Sequence, residues 1–333
     1  MKMDRILAAT FVVLVSTAII GFSAGSTGAS FTGTTTNPNQ SWATSNVAAP
    51  ASATATSAAA GAVNLSWVAT TTPANGHTVT YLVLRNGTQI GTSSSTSYSD
   101  TPTADGTYTY TVQTKIAQGS GFFTSGSSPS ASGLSDRTAP TMSATCNGGS
   151  CAGWFNSAVT FVVSGADGSG VGMGTATTNV DSAGAITSSA PRTVTVSGEN
   201  AAHSVVYSGA DAVGNASGNT SQTVKIDLTA PTAATSITTA KGLSAGQIVV
   251  SWVAGTDALS GVSGYTIHRS GVVASCPATT PANYPNTTTV GAVTTSTISG
   301  LVTASKYCFY LTTTDNAGNV SANSAAAGPQ AAK

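Results

Sequence analysis

At three places along this chain apolar residues recur at every second position: Val63, Leu65 and Trp67; Val159, Phe161 and Val163; Ile248, Val250 and Trp252. A spacing of two gathers side chains on one face of an extended strand, whereas on a helix it would scatter them around the axis. The chain must therefore build its cores from half-buried strands. Val79, Tyr81 and Val83, then Tyr108, Tyr110 and Val112, continue the pattern, with turn signals between them at Pro73-Ala74-Asn75-Gly76, Asn86-Gly87 and Ala104-Asp105-Gly106. Asn-Gly tolerates positive φ at both positions and predicts a hairpin. Short strands at this spacing form a two-sheet sandwich. Burying Trp67 contributes about 4 to 6 kcal/mol gross, which makes it the anchor of its core.

The runs are divided by a repeated phrase. Thr138-Ala139-Pro140-Thr141 and Thr229-Ala230-Pro231-Thr232 bracket one complete module, and Asp211-Ala212-Val213-Gly214-Asn215 near its end returns as Asp315-Asn316-Ala317-Gly318-Asn319. The expected organisation is a tandem array: a leader at 1–25, a Thr/Ser-rich linker at 26–48, and modules at 49–135, 136–231 and 232–333.

Lys2 and Arg5 precede an uncharged stretch from Ile6 to Phe22, followed by Ser23, Ala24 and Gly25. This is the layout of an export signal, with an uncleaved membrane anchor as the alternative. The final Gly328-Pro329-Gln330-Ala331-Ala332-Lys333 carries no hydrophobic tail, so the protein is expected to be free after cleavage or held by its amino-terminal segment. Only 7% of residues are charged and the formal net charge is zero, which removes the electrostatic basis for binding nucleic acid or an anionic membrane surface. Four cysteines, an even number, fit an oxidising compartment. Cys146 and Cys151 flank the turn-forming Asn147-Gly148-Gly149-Ser150, leaving Cys276 and Cys308 for each other. The pairs sit in different modules without close two-residue spacing, which disfavours zinc.

Three family resemblances follow. Trp67, the Tyr81-x-Val83-x-Arg85 run and Tyr108 make residues 49–135 resemble a fibronectin type III domain, without the usual Leu before the sixth-strand Tyr. The last module resembles that family more closely, with Trp252, Tyr265 to Arg269, Leu301 and Tyr307; there Cys308 has opposite parity to Tyr307 and Phe309 and should face away from the core, clamping the insert 276–290. The middle module resembles bacterial extracellular Ig-like repeats through Gly153-Trp154-Phe155-Asn156-Ser157, Asp167-Gly168-Ser169-Gly170-Val171, the Asp211 to Asn215 turn and the Lys225-Ile226-Asp227-Leu228-Thr229-Ala230-Pro231 ending. Its middle strand is replaced by the Gly/Ala/Thr run Met173 to Ser189, for which poor packing is expected. Residues 29–42 resemble the region after the signal in camelysin-like and biofilm-fibre proteins, but pass into an Ala/Ser/Thr tether at 48–60 rather than a fibre domain. The resemblances imply an all-β fold of tandem Ig-like and fibronectin type III β-sandwiches.

Catalytic parts are scarce. His77, His203 and His268 fall in different modules, none near a nucleophile elbow or a second His at metal spacing, and Glu199 is the lone glutamate. The Asp167 to Gly174 stretch opens no helix and is read as a turn, not a phosphate loop. Asp167, Asp211, Asp227 and Asp257 offer oxygens near module junctions, the raw material for calcium; yet calcium takes six to eight oxygens and no single stretch gathers three acids, so structural turns are favoured and no metal or cofactor is expected. No Arg-Gly-Asp tripeptide occurs. Two functions remain: a non-catalytic exported surface or matrix protein presenting rigid modules to an extracellular protein or polysaccharide, or an accessory carbohydrate-binding or spacer protein of an extracellular polysaccharide-degrading system. Exposed coplanar aromatics would mark the second, with Trp42, Phe122, Phe123, Trp154 and Tyr284 as candidates.

Overall fold

The computed structural model describes residues 47–71, 77–118 and 121–333. The leader, most of the linker, Trp42 and the Pro73 to Gly76 turn lie outside the described residues. What is described is strand after strand, with a single turn of 3-10 helix at Ala59–Gly61. Chain contacts divide the described residues into two compact units, one ending at Thr138 and the other beginning at Ala139.

In the first unit Ala53–Ser57, Val63–Trp67 and Ser97–Asp100 form one antiparallel sheet. Thr88–Ser93, Val79–Arg85, Gly106–Gln118 and Gly121–Thr124 form the other, with Ala131–Ser135 on the free half of the long strand. The Val63, Leu65, Trp67 face is buried against Tyr81, Val83, Tyr110 and Val112, while Tyr108 stays half-buried at the core's margin. Trp67 meets Tyr81 edge to face, ring centroids 5.3 Å apart. Asn86 and Gly87 both have positive φ, 49° and 80°, and close the expected hairpin. Gly106–Gln118 runs on past the core as 13 residues, and its excess length pairs with Gly121–Thr124.

Asp100 joins the two sheets. Its strand pairs with Val63–Trp67, but its carboxylate accepts both a two-pronged contact from Arg85 Nη1 at 2.9 and 3.2 Å and the Tyr110 hydroxyl at 2.8 Å, from the opposite sheet. Burial, first, and then the Asp100 carboxylate push the Tyr110 phenol well above its ordinary pKa, so it serves as a permanent donor.

The second unit holds two sandwich cores. In one, Thr141–Cys146, Val159–Ala166 and Arg192–Val196 face a five-stranded sheet ordered Trp154–Phe155, Thr220–Ile226, Asn200–Asp211, Met173–Val180, Ile186–Ser189. Val159, Phe161 and Val163 are fully buried against Val205, Val224 and Ile226. The Met173 to Ser189 run does not pack poorly: it makes two paired strands, with Ala176 at 0% and Thr178 at 2% exposure. Small side chains suffice there because the facing sheet approaches closely.

In the other core, Thr235–Lys241, Ile248–Val253 and Thr295–Ile298 face Asn286–Gly291, Val262–Arg269, Lys306–Asp315 and Ala327–Ala331. Trp252 repeats the first unit's anchor, edge to face with Tyr265 at 5.2 Å. The Tyr307 hydroxyl accepts the Val302 N–H beside buried Leu301. On the outer face of this sheet lies a satellite cluster of Tyr284, Cys308 and Tyr310, capped by Val273 and Cys276. Cys276 is bonded to Cys308, and Cys146 to Cys151.

Candidate functional site

The exposed-aromatic candidates do not form a platform. Phe122 and Phe123 are 58% and 55% exposed, but as consecutive residues of one strand they point to opposite faces. Lys115 Nζ stands 4.2 Å over the Phe122 ring, occupying a face that a sugar would need. Trp154 is half-buried at a sheet edge, with Lys225 Nζ 5.8 Å from its centroid. Tyr284 is not exposed at all, at 1%, because the disulfide-bound insert folds it edge-on against Tyr310. Trp42 lies outside the described residues.

Nor do the histidines assemble a general base. His203 Nδ1 lies 2.7 Å from Asp181 Oδ2, an arrangement resembling the orienting half of a catalytic triad; its Nε2 faces the Gly198 carbonyl at 3.0 Å instead of a nucleophile. Burial opposes its charging, but the Gly198 carbonyl and Asp181 carboxylate outweigh it, so the pKa is raised. His268 lies flat on Tyr310, centroids 4.3 Å apart, and burial lowers its pKa. His77 is exposed, and Glu199 accepts the Thr229 hydroxyl.

What the fold does bring together is aspartate. Asp315 closes its own turn: Oδ1 accepts the Asn319 N–H and Oδ2 the Asn319 side-chain amide, both at 2.8 Å, around Gly318 at φ 94°. The same amide donates to the Asp227 carbonyl at 2.8 Å, fastening the turn to the chain entering the last core. Asp227 accepts Thr229 N–H at 3.1 Å and Ser260 N–H at 3.0 Å, and Asp257 accepts Leu259 and Gly261 N–H at 3.1 and 2.6 Å. Each of the three offers a carboxylate oxygen within 4.8 Å of the others, with Asp227 at 0% and Asp315 at 2% exposure and Asp257 half-buried. Three separate turns, distant in sequence, thus converge on one point. Asp315 was not among the candidate oxygens read from the sequence, although its Asp-x-x-Gly-Asn phrase duplicates that of Asp211.

Asp211 folds in the same way, its Oδ1 accepting Val213, Gly214 and Asn215 N–H at 2.9, 2.6 and 2.9 Å. Within 4.8 Å of it is a carboxylate oxygen of Asp167. Asp167 Oδ2 accepts Gly172 N–H at 2.7 Å, while Oδ1 is fully buried and has no hydrogen-bond partner. These arrangements can position turns, and they can hold a hard cation.

No family model matches the chain. Among curated proteins it is 32% identical over 284 aligned residues to Exoglucanase B of Cellulomonas fimi, an alignment covering 79% of this chain and 23% of that enzyme. The chain therefore spans about a quarter of the relative it matches. Among solved structures, the FN1 to FN3 domains of chicken CNTN1 align at 15% identity and TM-score 0.37, covering 82% of this chain and 97% of that one. A three-domain piece of titin aligns at 13% identity and TM-score 0.39, covering 83% and 95%. The all-β sandwich assignment rests on the sheets and cores described above.

Proposed function

We propose that the chain is a non-catalytic array of β-sandwich modules that acts as a spacer in an extracellular polysaccharide-degrading system. The observation that carries this is the Exoglucanase B alignment, which runs over most of this chain yet takes in under a quarter of that enzyme. We read the matched stretch as a part that accompanies catalysis, and the described residues here hold packed β-sandwich cores and closed turns. Two disulfides and few charges suit such a part to an oxidising exterior. We read the second unit as two modules meeting near residue 231, with the first unit as a third. Direct sugar binding is the weaker variant, since Phe122 and Phe123 oppose each other across their strand and Tyr284 is sealed. Adhesion has no observation in its favour beyond the fold class.

The test is a chimera in which this chain, or a short Gly/Ser linker, separates a cellulase catalytic domain from a cellulose-binding module. The spacer reading expects higher turnover on insoluble cellulose with the full chain and equal turnover on a soluble oligosaccharide. Equal rates on both substrates would refute it. Retention of the isolated chain on cellulose, abolished by Phe122→Ala, would replace it with the binding variant.

A further inference from the structure

We infer that residues 227–234, which link the two cores of the second unit, form a rigid joint bolted by the Asn319 side chain, so that the two sandwiches move as one body. The link is eight residues long, from the end of Thr220–Ile226 to the start of Thr235–Lys241. A free chain of that length has a root-mean-square span of about 15 Å, enough to let two cores swing independently. This one is not free, because its polar groups are bonded to both sides.

At the entry, Asp227 is fully buried and held from two directions. Its N–H donates to the Phe155 carbonyl of the core it leaves, at 2.9 Å. Its Oδ2 accepts the Ser260 N–H at 3.0 Å and its carbonyl the Asn319 side-chain amide at 2.8 Å, both from the core ahead. The same Asn319 amide reaches the Thr229 carbonyl at 3.4 Å and is itself held by Asp315 Oδ2 at 2.8 Å. At the exit, Pro231 is buried and fixes its own φ. Thr232 N–H donates to the Thr256 carbonyl at 2.8 Å, and Thr256 N–H to the Thr232 hydroxyl at 2.7 Å. A Cβ on Gly255 would collide with the Thr232 carbonyl, so the link lies directly against this loop. Beside the link the cores also meet: a Cβ on Gly318, in the Asp315 turn, would stand 3.6 Å from Asn156 Nδ2 of the preceding core. Swinging the cores apart would strip buried Asp227 of several partners at once, and a buried group that loses its partners costs far more than an exposed one. Asn319 is the positioning residue, since one amide spans its own turn and two carbonyls of the link. The use of such a joint, holding a set direction between whatever the chain separates, rests on the spacer reading; its stiffness does not.

Double electron–electron resonance on the full chain tests the joint. Spin labels at Thr195→Cys and Thr287→Cys, exposed strand positions on the two cores, read the separation between them. Labels at Thr287→Cys and Thr297→Cys, both exposed on the last core, give the width that a single rigid body produces. The between-core distribution should be as narrow as the within-core one. Asn319→Ala should widen it toward the spread of about 15 Å that a free link allows. Asn323→Ala, which removes a bond to the Thr279 carbonyl inside the last core, should leave it narrow. A between-core distribution already wider than the within-core one overturns the joint. So does an Asn319→Ala distribution as narrow as the parent's, or equal widening by both variants. If Asn319→Ala loses its far-ultraviolet dichroism, the two widths of the parent decide. A flexible joint in a chimera that still outperforms the Gly/Ser linker would sink the joint alone, and a rigid joint in a chimera that does not would sink the spacer reading alone.

Discussion

Replacing Asp100 with Ala tests whether a single carboxylate fastens the two sheets of the first unit. Its Tyr110 partner is fully buried, so the hydroxyl loses a charge-assisted bond and finds no water; such a loss costs about 1.5 to 3 kcal/mol. Arg85 is different. Its side chain is 27% exposed and can rehydrate, so its part is closer to a surface pair's 0.2 to 1 kcal/mol, roughly. The sum is about 2 to 4 kcal/mol. At about 4 to 8 °C per kcal/mol for a domain of this size, the unit's melting temperature should fall by about 10 to 30 °C. Differential scanning calorimetry of the full chain reads this directly, because the second unit shares none of these contacts and its transition should stay in place. Tyr110→Phe alone should cost about 1.5 kcal/mol or more, and the double variant should cost clearly less than the sum of the singles, since both remove the same bond. An Asp100→Ala loss under about 0.5 kcal/mol, or strict additivity with Tyr110→Phe, would refute the reasoning.

Replacing both Cys276 and Cys308 with Ser should destabilise the second unit by about 3.7 kcal/mol from loop entropy at their separation of 32 residues, read as a shift in urea midpoint; a change below about 1 kcal/mol would show the satellite cluster holds the insert without the bond. His203 and His268 should act oppositely on pH. His203 has a raised pKa, so its stabilisation is complete below about pH 6.5 and lost as pH rises through that raised value, whereas Asp181, lowered mainly by the His203 bond, contributes above about pH 3.8 and loses this on acidification. His268 is lowered by burial, so it contributes above about pH 6.5 and costs stability as pH falls. Urea midpoints from pH 5 to 9 should therefore flatten on the alkaline side in His203→Asn and on the acid side in His268→Asn; identical profiles for parent and variants would contradict both assignments.

Much of the architecture was legible in period-two spacing, because a face that must be dry repeats its demand at every second residue. Trp67 and Trp252 fall at equivalent strand ends, each edge-on to a Tyr, and Asn86-Gly87 turns where its tolerated φ allows. Spacing fails where the decisive contact lies outside the strand. Tyr284 reads as an exposed loop aromatic, and only the bond between Cys276 and Cys308 lays that loop over the outer sheet face. Ala176 and Thr178 carry too little apolar surface to signal a core strand, yet small residues are what a close sheet pair accepts. The meeting of Asp227, Asp257 and Asp315 is a tertiary event that no local window contains; its trace was the recurrence of two short phrases. Asp100 stood among Ser and Tyr with nothing to mark its reach across to Arg85 and Tyr110.

The Asp227 junction is assembled from both of its neighbours, one acid arriving with the preceding strand and two with the turns that follow. A change in the length of chain between Ile226 and Thr235 would therefore reach the Asp257 loop and the Asp315 turn together.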